Sequence, residues 1–259
     1  MTNANSTCLI GHPLDRDLSE ALKRPIRVAN DANCFTLSEA IDGAGSDAAS
    51  VFGVILGTGV GGGFVVDGAP LTGAQAIAGE WGHNPMPGLL NEEWVDRRCY
   101  CSRLNCIETF LSGSALAADH LRRGGNELTT EEIAEQARGG DDDARASIER
   151  YAERLARALT TVVNVVDPEV IVLGGGVSNI TALYELVPPL LAEHVSRTPA
   201  ARGCCRRSTE IPAGCVVRHG CGARTRWNQR SLGRRPRDRR SSAESLRRCH
   251  RIWEARRAR

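Results

Sequence analysis

Aromatic residues are scarce in this chain: Phe, Trp and Tyr together make up 4% of its 259 residues, so aliphatic side chains must fill any core. Long apolar runs are missing as well. None approaches the roughly 20 residues that a helix needs to cross a bilayer, which excludes a membrane-spanning reading. The first nine residues have neither the basic flank nor the apolar centre of a secretory signal, so a cytoplasmic location is expected. Also absent are a Gly-Lys-Ser/Thr phosphate loop and a glycine fingerprint that opens a helix, which leaves Walker-type and Rossmann-type nucleotide binding without support.

A chain of this length with 41% hydrophobic residues can bury one or two cores. Its charge is divided. Residues 1–196 hold 14 Lys and Arg against 27 Asp and Glu, whereas residues 197–259 hold 19 Arg, no Lys and 4 acids, so the net charge of +2 conceals an acidic body and a basic end. Five of the ten cysteines (Cys204, Cys205, Cys215, Cys221 and Cys249) fall in that basic end.

The densest chemistry lies in Gly79-Glu80-Trp81-Gly82-His83 and in the run from Cys99 to Glu108. Three cysteines within eight positions, with one histidine upstream, supply the four ligands that structural zinc takes in tetrahedral sites: His83, Cys99, Cys101 and Cys106. A closed site of that kind does no chemistry, but it can tie the loop of residues 84–98 to its own base. Glu80 and Glu108 would face the same space. The alternative is a set of reduced cysteines acting as small apolar residues, and the spacing Cys-x-Cys-x4-Cys argues against it.

Taken in order, Leu14 to Leu22 reads as a short amphipathic helix capped by Asp15 or Asp17. Residues 25–29 read as a strand running into Asn30-Asp31, with a helix over residues 34–41. Asn-Asp after a strand is either a turn with a helix cap or a carboxylate placed at the ligand-facing end of a sheet. Residues 51–56 are a buried strand, followed by five glycines in the seven positions 57–63 and a second strand over residues 64–66. Such a hairpin is a tight turn, or a loop whose backbone N–H groups and Thr58 hydroxyl contact phosphate. Helices are expected over residues 110–121, after the capping box Thr129-x-x-Glu132, and over residues 144–166, where Pro168 ends the element. Residues 169–173 form a buried strand ending in Gly174-Gly175-Gly176, a loose connection or a flat surface for a base and ribose. Ser178 then caps a helix interrupted at Pro188-Pro189. Beyond Arg197 no hydrophobic face recurs and no core element can be built. An out-of-frame reading of GC-rich DNA explains that Arg- and Cys-rich stretch best. A disordered interaction tail is the other reading, and the shortage of aromatics disfavours nucleic acid binding.

With these pieces in place, the chain resembles the ROK family (repressors, open reading frames and sugar kinases) over about residues 1–197. The resemblance rests on Asn30-Asp31-Ala32-Asn33-Cys34 with Ser38-Glu39-Ala40, on Leu56-Gly57-Thr58-Gly59-Val60-Gly61, on Gly79-Glu80-Trp81-Gly82-His83, on the cysteine run ending in Glu108, and on Val172-Leu173-Gly174-Gly175-Gly176. It implies an α/β, actin-like (ribonuclease-H-like) sugar kinase fold, represented mainly by its second lobe. Residues 1–29 would be a remnant of the first lobe and of the connection, residues 30–197 the sugar and zinc lobe, and residues 198–259 the aberrant tail.

By the same resemblance, Asp31 is the general base that takes the proton from a hexose 6-hydroxyl as it attacks ATP. Mg2+ accompanies the ATP phosphates. Asn30, Glu80, His83 and Glu108 hold sugar hydroxyls, and His83 serves zinc with its other ring nitrogen. Gly57, Thr58, Gly59, Gly61, Gly174, Gly175 and Gly176 line the ATP site. His83-Asn84-Pro85 and Cys99-Tyr100-Cys101 are most similar to the mannofructokinase-type fructokinase branch, which implies fructose as substrate. N-acetylglucosamine kinase, glucokinase and a non-catalytic sugar-binding or regulatory relative are the alternatives, and a homodimer is the family's usual state. The family's N-terminal Asp-x-Gly-Gly-Thr loop would precede Met1. Its knuckle glycines are Ser102 and Asn105 here, and its ending is reduced to Arg218-His219-Gly220-Cys221.

Overall fold

The computed structural model describes residues 11–26 and 28–195, together with the backbone of residues 215–218. Its frame is a five-stranded mixed sheet in the order β3-β2-β1-β4-β5. β1 (Ser50–Leu56) and β2 (Val60–Val66) form the expected antiparallel hairpin with Leu56 opposite Val60, but the second strand starts at Val60 rather than residue 64, so Gly61, Gly62 and Gly63 pair within the sheet instead of forming a loop. β3 (Ala69–Pro70) follows the Asp67-Gly68 turn, where both residues have positive φ. β4 (Val170–Gly174) lies parallel to β1, and β5 (Cys215–Arg218) pairs antiparallel with β4.

Because strand side chains alternate, each central strand feeds two cores. Phe52, Val54 and Leu56 of β1 join Ile171 and Leu173 of β4 on one face. Val51, Val65, Val170 and Val172 point to the other, which α2 (Asp31–Ile41) closes with Phe35, Leu37 and Ala40. The larger core is covered by α3 (Glu108–Leu111), α4 (Gly113–Arg122), α5 (Thr130–Arg138), α6 (Asp142–Val166) and α7 (Leu183–His194). Asp141 caps α6 by accepting from the Ala144 N–H at 2.8 Å, and Ile148, Tyr151, Leu155, Leu159, Val162 and Val163 form its buried stripe. α1 (Leu14–Leu22) has no buried residue. No helix among the described residues is long and apolar enough to cross a membrane.

Several local expectations change in the folded chain. Residues 25, 26, 28 and 29 carry no strand, and α1 is preceded by Pro13 rather than capped by Asp15 or Asp17, which sit in its first turn. α2 begins at Asp31, because the Asn30 side chain accepts from the Asn33 N–H at 3.1 Å and starts the helix earlier. The helix expected over residues 110–121 is two helices. Ser112 adopts an extended backbone and caps α4 through the Ala115 N–H at 3.2 Å, which breaks the run. Ser178 bonds the Gly175 carbonyl in a 3-10 turn and does not cap α7, and α7 runs through Pro188 and Pro189. Burial of Leu183, Val187 and Leu191 against α6 outweighs the two missing N–H donors. β5 falls in the stretch where no core element is legible; the remainder of residues 196–259 lies outside the described residues.

Two carboxylates are buried under the helices. Asp119 of α4 meets Arg97, Arg122, Arg150 and Arg154 at 3.5, 3.3, 3.1 and 3.1 Å. Glu93, in the loop before the cysteines, meets Arg154 at 2.5 Å and Arg157 at 2.8 Å. Loop 84–98 is therefore clamped onto α6 by charge. Burial opposes ionisation of Asp119, but the hydrogen bonds and charges of Arg154 and Arg150 overcome it and hold the carboxyl down at about 2.

Asp119→Asn is expected to cost about 3–5 kcal/mol at pH 7, since it leaves buried guanidiniums without their carboxylate. The folded carboxyl titrates below its unfolded counterpart, so its contribution is complete above about pH 4 and is lost as pH falls toward 2. Urea unfolding across that window should show the gap between wild type and variant closing; a constant gap would contradict the assignment.

Candidate functional site

The site is built on the edge of β2 nearest the hairpin turn. Gly79 has φ 95°, and a Cβ there would stand 2.4 Å from the Gly62 carbonyl oxygen. Gly82 approaches the Val60 carbonyl equally closely, and between them Trp81 lies over Gly62 and donates from Nε1 to the Gly61 carbonyl at 3.1 Å. The Gly-Glu-Trp-Gly-His motif is thus a seat: its glycines and tryptophan fasten the segment to β2, and Glu80 and His83 are the side chains left over for other work.

Those side chains meet the others singled out from the sequence. Asn30 Nδ2 donates to Glu80 Oε1 at 3.5 Å. Asp31, exposed at the first position of α2, accepts from the Ala32 N–H at 2.9 Å, and a Cβ on Gly61 would lie 3.4 Å from the Ala32 Cβ. Glu108 Oε2 accepts from the Val60 N–H at 3.0 Å, the first residue after the hairpin turn, while its Oε1 lies 3.6 Å from Cys99 Sγ. Asn30, Asp31, Glu80 and Glu108 consequently border one end of the hairpin, next to His83.

His83, Cys99, Cys101 and Cys106 offer one ligand atom each, all within 4.8 Å of one another. Cys99 Sγ is 3.5 Å from His83 Nδ1, and Cys101 Sγ is 3.6 Å from Cys106 Sγ. Bonds of about 2.0–2.3 Å to a tetrahedral zinc imply ligand separations of about 3.5–3.8 Å, which these two pairs meet, so the donor set fits the ion once the atoms at up to 4.8 Å close in on it. Ser102 and Asn105 take the left-handed backbone, φ 71° and 56°, that the knuckle turn requires. Burial and the hydrogen bond shared with Cys101 push the Cys106 thiol up to about 12, so loading a metal must displace its proton. His83 Nε2 lies 2.9 Å from the Tyr100 hydroxyl, so the nitrogen turned away from the cysteines already has a partner.

The glycines divide by role. A Cβ on Gly174 would sit 2.5 Å from the Phe35 ring, and one on Gly175, at φ 85°, would sit 2.4 Å from the Leu56 carbonyl oxygen. Both therefore serve close packing of α2 and of the hairpin against β4. Gly176 meets only Glu131 Oε1 at 3.9 Å and borders a cavity of 460 Å³ between α5, α6 and α7, lined also by Ala134, Ile148, Ile180 and Leu186. In the hairpin turn, Gly57 has open space beside it, and Thr58 is exposed. The Gly113 N–H donates to the Gly57 carbonyl at 2.8 Å, which sets the N-terminus of α4 against this turn.

Sequence reading passed over Tyr100, the Ser112-Gly113 break, the cavity and the buried arginines. Arg150, Arg154 and Arg157 recur at helical spacing along the apolar stripe of α6, and that recurrence was a usable signal. Nothing local distinguishes Tyr100 from a spacer between ligands.

The sequence profile described as the ROK family matches residues 1–213. An N-acetyl-D-glucosamine kinase from Citrobacter koseri is 43% identical over 203 residues, covering 77% of this chain and 66% of that protein. The chain thus spans about two thirds of the length of such relatives. Among solved structures, a ROK hexokinase from Thermus thermophilus superposes with a TM-score of 0.63 at 31% identity, covering 72% of this chain and 61% of that one. A ROK family glucokinase from Streptomyces griseus, in complex with glucose and AMPPNP, superposes with a TM-score of 0.61 at 27% identity, covering 71% and 62%. The α/β architecture is the actin-like one of these kinases.

Zinc should copurify at one ion per chain, and a strong chelator should lower the Tm as loop 84–98 loses one of its two anchors. Cys101→Ser should leave the metal content well below one. Full zinc occupancy in that variant, measured by atomic emission, would remove Cys101 from the ligand set.

Proposed function

Since the chain belongs to the ROK family, we propose that it is an ATP-dependent hexose kinase, a cytoplasmic phosphotransferase acting on the sugar 6-hydroxyl. The observation that carries this reading is the convergence of Asn30, Asp31, Glu80 and Glu108 on the end of the hairpin beside His83. A sugar presents a ring of O–H donors, and three carboxylates with an amide complement it; His83, expected to hold a hydroxyl as well, has its Nε2 taken by Tyr100. Asp31 stands exposed where a hydroxyl could reach it, and serves as the base that accepts the 6-hydroxyl proton.

Phosphoryl transfer asks little covalent work of a protein and much positioning and charge compensation. The hairpin turn at Gly57, Thr58 and Gly59, with the N-terminus of α4 behind it, offers backbone N–H groups and helix polarity for phosphate oxygens. The apolar cavity beyond Gly176 suits the adenine ring. Mg2+, when bound with ATP, neutralises charge on the transferred group; zinc on His83 and the three cysteines holds the sugar-facing segment in place.

For the sugar itself, the motifs His83-Asn84-Pro85 and Cys99-Tyr100-Cys101 led to an expectation of fructose. Relatives about 42–43% identical are named N-acetyl-D-glucosamine kinases, which moves N-acetyl-D-glucosamine ahead of fructose as the first substrate to assay.

Asp31→Asn should lower kcat by about 10²–10⁴-fold and leave hexose affinity nearly unchanged. Turnover that survives the change in an ATP-coupled assay would exclude Asp31 as the base. For the nucleotide side, Gly176→Val has room in the fold and should raise the KM for ATP about tenfold with little change in Tm, whereas Gly175→Ala should destabilise the protein outright. An unchanged KM for ATP in a folded Gly176→Val protein would place adenine elsewhere.

A further inference from the structure

The buried charges between the cysteine knuckle and α6 are more positive than pairing requires. Three buried guanidiniums (Arg97, Arg154 and Arg157), together with half-buried Arg150 and exposed Arg122, share Asp119 and Glu93, with Glu153 contacting Arg157 at the edge. Asp119 has three partners at 3.1–3.3 Å before Arg97 is considered, and Arg97 is the most distant at 3.5 Å. The Arg97 Nε is also buried with no hydrogen-bond partner. An apolar side chain of similar length would relieve both the crowding of like charge and the unmet donor. Pairing with Asp119 therefore gives little reason for an arginine at this position.

What Arg97 does make are bonds to two different pieces of the site. Its backbone is paired both ways with Asn105 of the knuckle, through Asn105 Oδ1 at 3.1 Å and the Asn105 N–H at 2.9 Å. Its guanidinium leaves the knuckle, donates to the Thr109 carbonyl at 3.2 Å and lies over the Phe110 ring, 4.2 Å from the centroid. Thr109 and Phe110 are the residues after Glu108 in α3, so the guanidinium joins the metal-ligating turn to the helix that carries a sugar-facing carboxylate. A planar fork that stacks and donates at once is something lysine cannot reproduce.

We propose that Arg97 is a positioning residue that locks α3, and with it Glu108, against the cysteine knuckle at a net cost in stability. This rests on reading Glu108 as a hexose ligand. Neither zinc nor sugar is touched by Arg97; it acts by limiting how far the knuckle and α3 can move apart. Because Asp119 keeps Arg122, Arg150 and Arg154, removing the Arg97 charge leaves no carboxylate unpaired.

The test uses the full chain loaded with zinc and three readouts: Tm by calorimetry, the rate of zinc transfer to a colorimetric chelator, and the Kd for N-acetyl-D-glucosamine and for fructose by titration calorimetry. Arg97→Met is expected to keep or raise the Tm, release zinc about tenfold faster and bind its hexose about tenfold more weakly. Arg97→Lys, which can restore one donor to Thr109, should fall between Arg97→Met and wild type in zinc release. Zinc release at the wild-type rate in Arg97→Met overturns the proposal. So does a variant that fails to fold, because Arg97 would then be a stabilising residue, and so does an Arg97→Lys protein that releases zinc as fast as Arg97→Met. A wild-type chain that binds neither sugar defeats the kinase reading, while its zinc-release comparison still decides whether Arg97 positions the knuckle.

Discussion

Residues 79–83 can reach β2 only because three glycines leave no side chain in the way. Gly62 accommodates Trp81, Gly79 accommodates the Gly62 carbonyl, and Gly82 accommodates the Val60 carbonyl, each at a distance that a single methyl group would occupy. Everything chemical in the molecule hangs from that contact. It sets Glu80 beside Asn30, presents His83 to the cysteines, and holds the hairpin turn at the height where Glu108 bonds the Val60 N–H. Close-packed interiors transmit such constraints because neighbouring groups have no slack to absorb a shift.

The loop that follows is held at both ends by different physics. His83 before it and Cys99, Cys101 and Cys106 after it gather a donor set of the kind zinc takes; along its length are Glu93 and Arg97, buried against arginines of α6 and a carboxylate of α4. A single anchor would leave residues 84–98 free to swing. Two anchors turn the loop into a wall of the site, and this explains why so much charge is buried in a protein whose aromatics are too few to fill space cheaply.

Function and family converge on the same residues from independent directions. The motifs resemble those of sugar kinases, the fold superposes on them, and the side chains proposed to hold the sugar lie together at one end of the hairpin. The glycines do not all share one task, however. Gly174 and Gly175 are explained by packing against Phe35 and Leu56, so the proposed nucleotide contacts fall to Gly57, Thr58, Gly59, Gly61 and Gly176.

From the sequence by itself came the elements whose signals are local: the β1–β2 hairpin, the buried strand β4, the long α6 with its aspartate cap, the capping box of α5, and the grouping of His83, Cys99, Cys101 and Cys106. Each depends on periodicity or spacing within about 25 residues, which the linear order displays directly. Three local expectations went the other way: residues 25, 26, 28 and 29 carry no strand, Ser112 caps α4 and breaks the expected helix, and burial of Leu183, Val187 and Leu191 carries α7 through its two prolines. Only the tertiary structure decided that Asn30 meets Glu80, that Glu108 bonds the hairpin, that Tyr100 occupies His83 Nε2, and that Arg97 bridges the knuckle to α3. Those contacts join residues separated by 12 to 50 positions or turn on backbone geometry inside the knuckle, and no local pattern encodes which of many polar side chains will meet once the chain has closed on its core.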